Sequence, residues 1–262
     1  MKYKKIFIKL FLSVAFVISG IETAFAWDYI GRAEVSRSVK IRPEINARIT
    51  KIHFDEGAFV EKSANLFTLD TAEIQAEVSL KKAELSSAQV KLDGAEKYLS
   101  RLKATDKRGV SASDIDVAES EVKQAQAAVG EAKAALKIAQ VQLNRTKITA
   151  PFAGKIGKIN FYHGSYVSPE DVLCEISELN PIRILFAMPD KDYLIFKNSQ
   201  KNFRYELFLA DGSLFSGIIE KDFEDNSMDP ETGTINIWLK ANNENNILLP
   251  GALVRVRVTE SE

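Results

Sequence analysis

Side chains that commonly carry catalysis or bind metals are scarce in this sequence. His53 and His163 are the only histidines, and Cys174 is the only cysteine. No cluster of cysteines and histidines has the spacing of a zinc site, and the scattered glycines form no phosphate-binding loop. His53 alternates with the apolar Ile52 and Phe54, a pattern typical of an outward-facing strand residue. We therefore predict a protein that is not an enzyme and that holds neither a metal nor a cofactor.

The single cysteine has no internal partner for a disulfide, so packing must hold the fold together. Cys174 alternates with Val172 and Ile176, which places the three side chains on one face of a predicted strand. Free cysteine is among the residues most often buried in proteins. We predict a buried thiol with no redox role.

The first 26 residues have the pattern of an export signal. Residues 1–5 are basic, residues 6–18 are apolar apart from Lys9 and Ser13, and Ala24-Phe25-Ala26 matches an A-x-A cleavage site. We predict that the signal is removed after Ala26. The alternative is an uncleaved membrane anchor, because the apolar stretch is nearly long enough to span a bilayer although it contains charges.

The composition argues against nucleic acid as a partner. Hydrophobic residues make up 45% of the chain, and the formal net charge is −1. The chain therefore lacks the basic surface of a nucleic-acid-binding protein. Beyond the signal, we predict no segment that crosses a bilayer.

Two long amphipathic segments lie between Thr71 and Asn144. In each, apolar or small residues recur at alternating steps of four and three, the 3.5-residue period of a left-handed coiled coil. A polar turn at residues 104–110 separates them, so we predict an exposed antiparallel hairpin. It is either a spacer or dimerisation arm, or a probe that reaches a distant partner. The first stripe comprises Ile74, Val78, Lys81, Leu85, Ala88, Leu92, Ala95, Leu99 and Leu102; the second comprises Ile115, Ala118, Val122, Ala125, Val129, Ala132, Leu136, Ala139 and Leu143.

Both predicted helices begin with residues spaced as a capping box. Asp70 is followed by Glu73, and Ser111 is followed by Asp114. A short polar side chain at the N-cap and an acidic one three residues later can each accept a backbone N–H. These pairs therefore predict where the two helices begin.

An internal repeat flanks the predicted hairpin. Residues 48–57 resemble residues 155–164 at a constant offset of 107. Each copy predicts a strand, a glycine turn and two short strands, which are too small to form a core alone. We predict that the two copies pack into one β domain, with the hairpin inserted between them. The identical pairs are Ile49/Ile156, Lys51/Lys158, Ile52/Ile159, Phe54/Phe161, Gly57/Gly164, Val60/Val167 and Leu66/Leu173.

The remaining residues predict a second β-rich region. Residues 182–188 alternate as a strand, and Asp190 to Lys197 is a candidate short helix. Further strands are predicted at residues 205–209, 214–219, 234–240 and 253–258, with Asp211-Gly212 as the turn of a hairpin between the first two.

Four segments resemble motifs of the membrane fusion proteins of the HlyD type, the periplasmic adaptor subunits of tripartite efflux and secretion systems. The resemblance implies an elongated α+β fold: a coiled-coil hairpin between two halves of a biotinyl/lipoyl-like domain, followed by a small β-barrel. The four segments are Ile41–Ile49, Thr149–Gly157, Asp229–Thr234 and Leu248–Val254. The predicted boundaries are 1–26 for the signal peptide, 27–40 for a strand joining the barrel, 41–70 for the first lipoyl-like half, 71–145 for the hairpin, 146–178 for the second half and 179–262 for the barrel.

The resemblance also implies a function and its partners. A homo-oligomeric ring, with a hexamer expected, would connect an inner-membrane transporter of the RND, ABC or MFS type to a TolC-type outer-membrane channel. The expected location is the periplasm, in association with the inner membrane. The residues expected to dock at the hairpin tip are Arg101, Leu102, Thr105, Arg108 and Ser111.

This sequence differs in three features from lipoyl or biotinyl carriers or from other membrane fusion proteins. Lipoyl and biotinyl carriers need a lysine at the turn between the halves, whereas the hairpin occupies that place here, so no swinging-arm cofactor is predicted. A membrane-proximal domain, found in many adaptors of proton-driven pumps, is expected to be absent. At the tip, Arg101 and Ser111 are ten residues apart rather than eleven, and Thr105 stands where leucine is usual. The alternative function is a structural or interaction protein, or a shortened adaptor without a pump.

Overall fold

The computed structural model describes residues 26–104, 111–199 and 202–261. The chain divides into two compact units. Among the described residues, the repeat unit comprises those from Arg37 to Glu178, and the terminal unit combines residues 26–36 with those from Leu179 onward. Two 16-residue strands, β1 (Ala26–Ile41) and β8 (Cys174–Pro189), contribute residues to both units.

The repeat unit holds two long helices and six short strands besides the shared ones. Helices α1 (Ala72–Ala104) and α2 (Ala112–Asn144) lie in sequence between strands β4 and β5. A four-stranded sheet has the order β5-β4-β2-β7, while β6 pairs with β3 and β8. The strands are β2 (Ala47–Ile52), β3 (Phe59–Val60), β4 (Asn65–Leu69), β5 (Lys147–Thr149), β6 (Gly154–Ile156) and β7 (Tyr166–Val167).

The offset of 107 residues reappears in the contacts of the repeat unit. The N–H of Gly57 donates to the carbonyl of Ile156, and the N–H of Gly164 donates to that of Ile49. Likewise, β2 pairs with β7 while β6 pairs with β3, in the same register. Each half therefore completes its sheet with a strand of the other half. This exchange explains why one copy of the repeat cannot form a core alone.

The two glycine turns of the repeat require positive φ. Gly57 has φ 76° and Gly164 has φ 89°, a backbone region that L side chains rarely adopt. The apolar residues around these turns form one core with the largest buried side chains of the unit, including Phe67 against Phe54 at 5.2 Å between ring centroids. Glycine therefore recurs at this position of the repeat because both turns need a backbone conformation with positive φ.

The predicted stripes on α1 and α2 coincide with their least exposed residues. In α1, every residue that is not exposed belongs to the predicted stripe. In α2, all stripe residues are shielded, and Ala118, Val122 and Ala139 are fully buried. The two helices pack against each other along these faces. Strand β4 precedes the start of α1, and β5 follows the end of α2. The two strands are antiparallel neighbours, with Phe67 opposite Ile148.

The start of α1 corrects one sequence prediction. The helix begins at Ala72, and the carboxylate of Asp70 accepts the N–H of Ala72 at 3.0 Å. The reciprocal bond from Glu73 is not formed, so this end is an Asx-type turn rather than a capping box. The aspartate lies one residue too early in the chain to serve as the N-cap.

The terminal unit is built on the sheet order β10-β11-β8-β1-β12-β9. Its core contains alternate residues of these strands, among them Phe186, Ile237 and Val256. The predicted short helix is present as α3 (Asp190–Asn198), in which Phe196 is buried. The ring centroid of Phe196 lies 4.4 Å from that of Phe203. The strands are β9 (Asn202–Phe208), β10 (Ile219–Glu224), β11 (Thr234–Ala241) and β12 (Leu253–Ser261).

The predicted hairpin around Asp211-Gly212 is only partly correct. Gly212 has φ 83° and makes the turn, but residues 214–219 form a single bridge to Phe208 instead of a strand. Strand β10 starts later, at Ile219, and pairs with β11. The segment of residues 214–219 lies against the residues that follow β11: the N–H of Asn242 donates to the carbonyl of Ile218, and a Cβ added at Gly217 would lie 2.3 Å from the carbonyl oxygen of Asn242.

Cys174 is fully buried, as predicted, and burial raises the pKa of its thiol from 9.0 to about 12. Below pH 9 the thiol is protonated in both the folded and the unfolded protein. Between pH 9 and 12 only the unfolded thiol ionises, so its contribution to folding stability falls as the pH rises. We expect Cys174 to resist a thiol-specific reagent at pH 8 until denaturant is added, whereas the exposed variant Ala83→Cys should react at once. Fast native labelling of Cys174 would contradict its burial.

Candidate functional site

The start of α2 is stabilised by a complete capping box, as the sequence predicts. The hydroxyl oxygen of Ser111 accepts the N–H of Asp114 at 3.2 Å, and the carboxylate of Asp114 accepts the N–H and the hydroxyl of Ser111 at 3.1 and 2.8 Å. The hydrogen bonds from Ser111 hold the pKa of Asp114 below its usual value. The cap therefore pairs the backbone N–H groups of Ser111 and Asp114 and places a carboxylate at this end of α2.

An ion pair joins the described ends of the two helices. The ammonium of Lys103 in the last turn of α1 lies 2.7 Å from the carboxylate of Glu119 in α2. Lys103 donates a hydrogen bond to Glu119 and holds the pKa of this carboxyl below its usual value. Both side chains are about half exposed, so solvent screens the pair and its contribution to stability is small. The pair therefore contributes more to the alignment of the two helices than to the stability of the fold.

Sequence reasoning did not single out Lys103 and Glu119, although a signal was available. Each residue follows a stripe residue directly, Leu102 in α1 and Ala118 in α2. Positions that flank a hydrophobic stripe are where charged pairs link two packed helices. Opposite charges at these flanking positions therefore indicated which ends of the helices lie together.

The structure distributes the predicted docking residues among different roles. Arg101 has an exposed side chain in the last turn of α1. Leu102 is half-buried on the stripe that faces α2, and Ser111 is engaged as a cap. Thr105 and Arg108 lie outside the described residues.

The predicted cleavage site straddles the boundary of the described residues. Ala24 lies outside them, and Ala26 is the first residue of β1, opposite Thr259 of β12. Within residues 26–104, 111–199 and 202–261, no helix combines the length and apolar character needed to span a membrane.

Neither histidine belongs to a group of potential metal ligands in the described part of the chain. The ring Nε2 of His53 lies 2.8 Å from the hydroxyl of Thr68 and 3.1 Å from the amide nitrogen of Asn65. No group of three or more potential metal ligands occurs in the described residues.

Two of the sequence motifs are turns in the terminal unit. The carboxylate of Asp229 accepts the N–H of Glu231 at 2.8 Å, and Gly233 at φ 62° donates back to the carbonyl of Asp229. In the other motif, Gly251 at φ 89° donates to the carbonyl of Ala33 in β1. Both segments therefore fix backbone conformation, and neither forms a chemical site.

The third motif, Thr149–Gly157, is a close approach between strands in the repeat unit. Gly154 of β6 faces Ser177 of β8, and an added Cβ would lie 2.7 Å from the Ser177 carbonyl oxygen. Ala150 and Ile156 of the same motif are buried. The motif is thus required for packing of the second half of the repeat.

This architecture can be compared with known families. The family model described as the barrel-sandwich hybrid domain of RND membrane fusion proteins matches residues 37–175, and that of their β-barrel domain matches residues 181–262. The chain belongs to this family. The two matched ranges cover β structure in both units of this membrane fusion protein.

Curated relatives carry names of efflux proteins. The multidrug efflux pump subunit AcrA of Escherichia coli K12 is 31% identical over 242 residues, which are 88% of this chain and 61% of AcrA. The multidrug resistance protein MdtA of Xenorhabdus bovienii is 28% identical over 87% of this chain and 57% of its own length. The antibiotic efflux pump periplasmic linker protein ArpA of Pseudomonas putida is 29% identical, over 87% of this chain and 61% of its own length. This membrane fusion protein thus spans about three-fifths of the length of these relatives.

Solved structures share the fold. A MacA–MexA chimera that contains the α-hairpin domain of Pseudomonas aeruginosa MexA superposes with a TM-score of 0.69, at 19% identity, over 91% of this chain and 80% of the chimera. A membrane fusion protein of Streptococcus pneumoniae gives 0.69 at 13% identity, over 90% of this chain and 99% of that protein. At these identities the likeness describes the fold alone.

Proposed function

We propose that this membrane fusion protein is a periplasmic adaptor of the HlyD-type tripartite systems. It links an inner-membrane transporter to a TolC-type outer-membrane channel for efflux or secretion. The main support is that two 33-residue helices lie between the paired strands β4 and β5, within the range 37–175 that one family model matches, while a second model of the same family matches residues 181–262. Relatives named as efflux pump subunits and periplasmic linker proteins support it.

The helices form an antiparallel coiled coil in this proposal. The support is the 3.5-residue period of the shielded residues on both helices, together with the ion pair between Lys103 and Glu119. An α1 of 33 residues is roughly 50 Å long at 1.5 Å per residue. An arm of that length can touch a partner that the strands of the repeat unit do not contact.

The flanking regions take the roles of the family's domains. Residues 41–70 and 146–178 act as the two lipoyl-like halves around the hairpin of residues 71–145, and residues 27–40 join the barrel of residues 179–262. Copies of the chain assemble through these β regions into a ring, with six copies as the expected number. The family models favour an RND-type transporter as the inner-membrane partner. The transporter supplies the energy, and the adaptor performs no catalysis.

The tip of the hairpin is the proposed contact with the channel. Arg101 is the exposed predicted docking residue in the described part of α1, and its guanidinium can form bidentate hydrogen bonds across an interface. The capping box of Ser111 and Asp114 fixes the start of α2. Leu102, Thr105 and Arg108 complete the proposed docking set.

Crosslinking in cells tests this docking. A photo-crosslinking amino acid at Thr105 is expected to give an adduct with an outer-membrane channel, identified by mass spectrometry. The matched control places the same amino acid at Val90, an exposed residue in the middle of α1. The control should crosslink to another copy of the adaptor and not to the channel. Adducts of the Thr105 variant only with itself, in cells that export it, would refute docking through the tip.

A further inference from the structure

An open groove of about 590 Å³ lies in the repeat unit where α2 ends. The end of β1, the end of α2 and strand β5 contribute its walls. Its volume is in the range of small-molecule sites. The groove is at the opposite end of α2 from Ser111, so it is separate from the docking site proposed at the hairpin tip.

The lining of the groove is strongly basic. It contains four cationic side chains and one carboxylate, Glu44. The carboxylate is already used, because the guanidinium of Arg145 lies 2.8 Å from it. The other three cations are Lys40, Arg42 and Lys147, and none of them has a carboxylate within ion-pairing distance in the described part of the chain. The groove therefore carries uncompensated positive charge in a chain of formal net charge −1.

These cations are not needed to cap the helix. The carbonyl of Leu143 accepts the hydroxyl of Thr146 at 2.7 Å and the N–H of Arg145, and the carbonyl of Val141 accepts the N–H of Arg145. Main-chain groups and a hydroxyl thus pair with two of the last four carbonyls of α2, and no lysine side chain takes part in these bonds. The lysine ammonium groups remain available to a ligand.

The repeat brings two like charges to one place. Lys40 and Lys147 occupy equivalent positions at the offset of 107 residues, and both line the groove. Like charges that share a site repel each other, and a bound anion relieves that repulsion. Beside the lysines, Val141 exposes 39% of its surface, and Pro151 adds a second apolar contact. The lining suits a ligand with a highly charged anionic group and an apolar part.

We propose that this groove binds a phosphate monoester, with Lys40, Arg42 and Lys147 holding the phosphate oxygens and Val141 contacting the apolar part. A phosphate monoester carries about −1.5 to −2 charges at pH 7. It therefore neutralises three cations better than a ligand with a single carboxylate would. Arginine also matches the geometry of phosphate oxygens. The ester comes either from a soluble metabolite or from phosphatidic acid in a membrane.

Calorimetric titration of the mature chain with sn-glycerol 3-phosphate tests the soluble source. Flotation with phosphatidylcholine vesicles, with and without phosphatidic acid, tests the membrane source. The double variant Lys40→Gln/Lys147→Gln is expected to weaken the binding at least tenfold. The matched control Lys133→Gln/Lys137→Gln removes the same charge from exposed positions of α2 that do not line the groove. It should change the affinity less than twofold.

A second variant guards against a folding defect. Val141→Glu places a carboxylate at the groove while keeping all three cations, and it should weaken binding to the same degree. Binding of either probe that is lost in both groove variants supports the proposal and identifies the source. Equal losses in the groove and control variants, or no binding of either probe by the wild-type chain, would overturn it.

Discussion

Replacing Asn243 with leucine is expected to destabilise the terminal unit by about 4 kcal/mol. Asn243 is 1% exposed, although it lies in a polar loop. Its amide nitrogen donates to the carbonyls of Leu179 and Leu248 at 3.0 and 2.8 Å, and its amide oxygen accepts the N–H of Leu248 at 3.1 Å. Leucine has the same branching and the same number of side-chain heavy atoms, but it leaves three buried backbone groups unpaired, each costing roughly 1–3 kcal/mol.

Urea denaturation monitored by tryptophan fluorescence measures the loss, since Trp27 and Trp238 both lie in the terminal unit. Asn245→Leu is the control, because Asn245 is exposed in the same loop. It should shift the free energy of unfolding by less than about 0.5 kcal/mol. Equal stability of the two variants would show that the buried amide contributes nothing specific.

Replacing Gly154 with alanine is expected to destabilise the repeat unit by about 3 kcal/mol. An added Cβ would lie 2.7 Å from the carbonyl oxygen of Ser177 and 2.9 Å from the side chain of Ile176. The oxygen belongs to the backbone of β8, so relief requires a strand to move rather than a side chain to rotate. Forcing an extra group into a packed core typically costs roughly 1–3 kcal/mol, and a backbone clash lies at the upper end.

The same motif supplies the control for this substitution. At Gly157 an added Cβ would meet its nearest atom, the carbonyl oxygen of Glu175, at 3.5 Å, an ordinary contact distance. Gly157→Ala should therefore keep the free energy of unfolding within about 1 kcal/mol of the wild-type value. A destabilisation of the two variants by the same amount would exclude the close approach as the reason for the glycine at 154.

Periodic patterns predicted the parts of the fold that depend on local sequence. The stripes of α1 and α2, the repeat at an offset of 107 and the capping box at Ser111 all rest on spacing, which a sequence displays directly. The path of β10 and the burial of Asn243 could not be predicted in this way. They depend on close approaches between residues distant in sequence, such as Gly217 and the carbonyl of Asn242.

The candidate site was less accessible to sequence reasoning than the fold. The motifs that carried the resemblance are turns and close approaches, as at Gly154, Asp229 and Gly251. They identify the scaffold and say little about the surface that touches a partner. Docking residues depend on the partner's own surface, which no pattern in this chain encodes.

The pairing of β4 with β5 also affects the order in which the chain folds. The whole helical segment separates the two halves of the repeat, and closing a flexible segment of about 70 residues costs roughly 4 kcal/mol of chain entropy. Helices form from local contacts within microseconds. Once α1 and α2 pack together, Thr68 and Lys147, which lie opposite each other in the paired strands, are already close, and the second half docks at little further entropic cost. The helical segment is thus a template on which the interleaved β structure is nucleated.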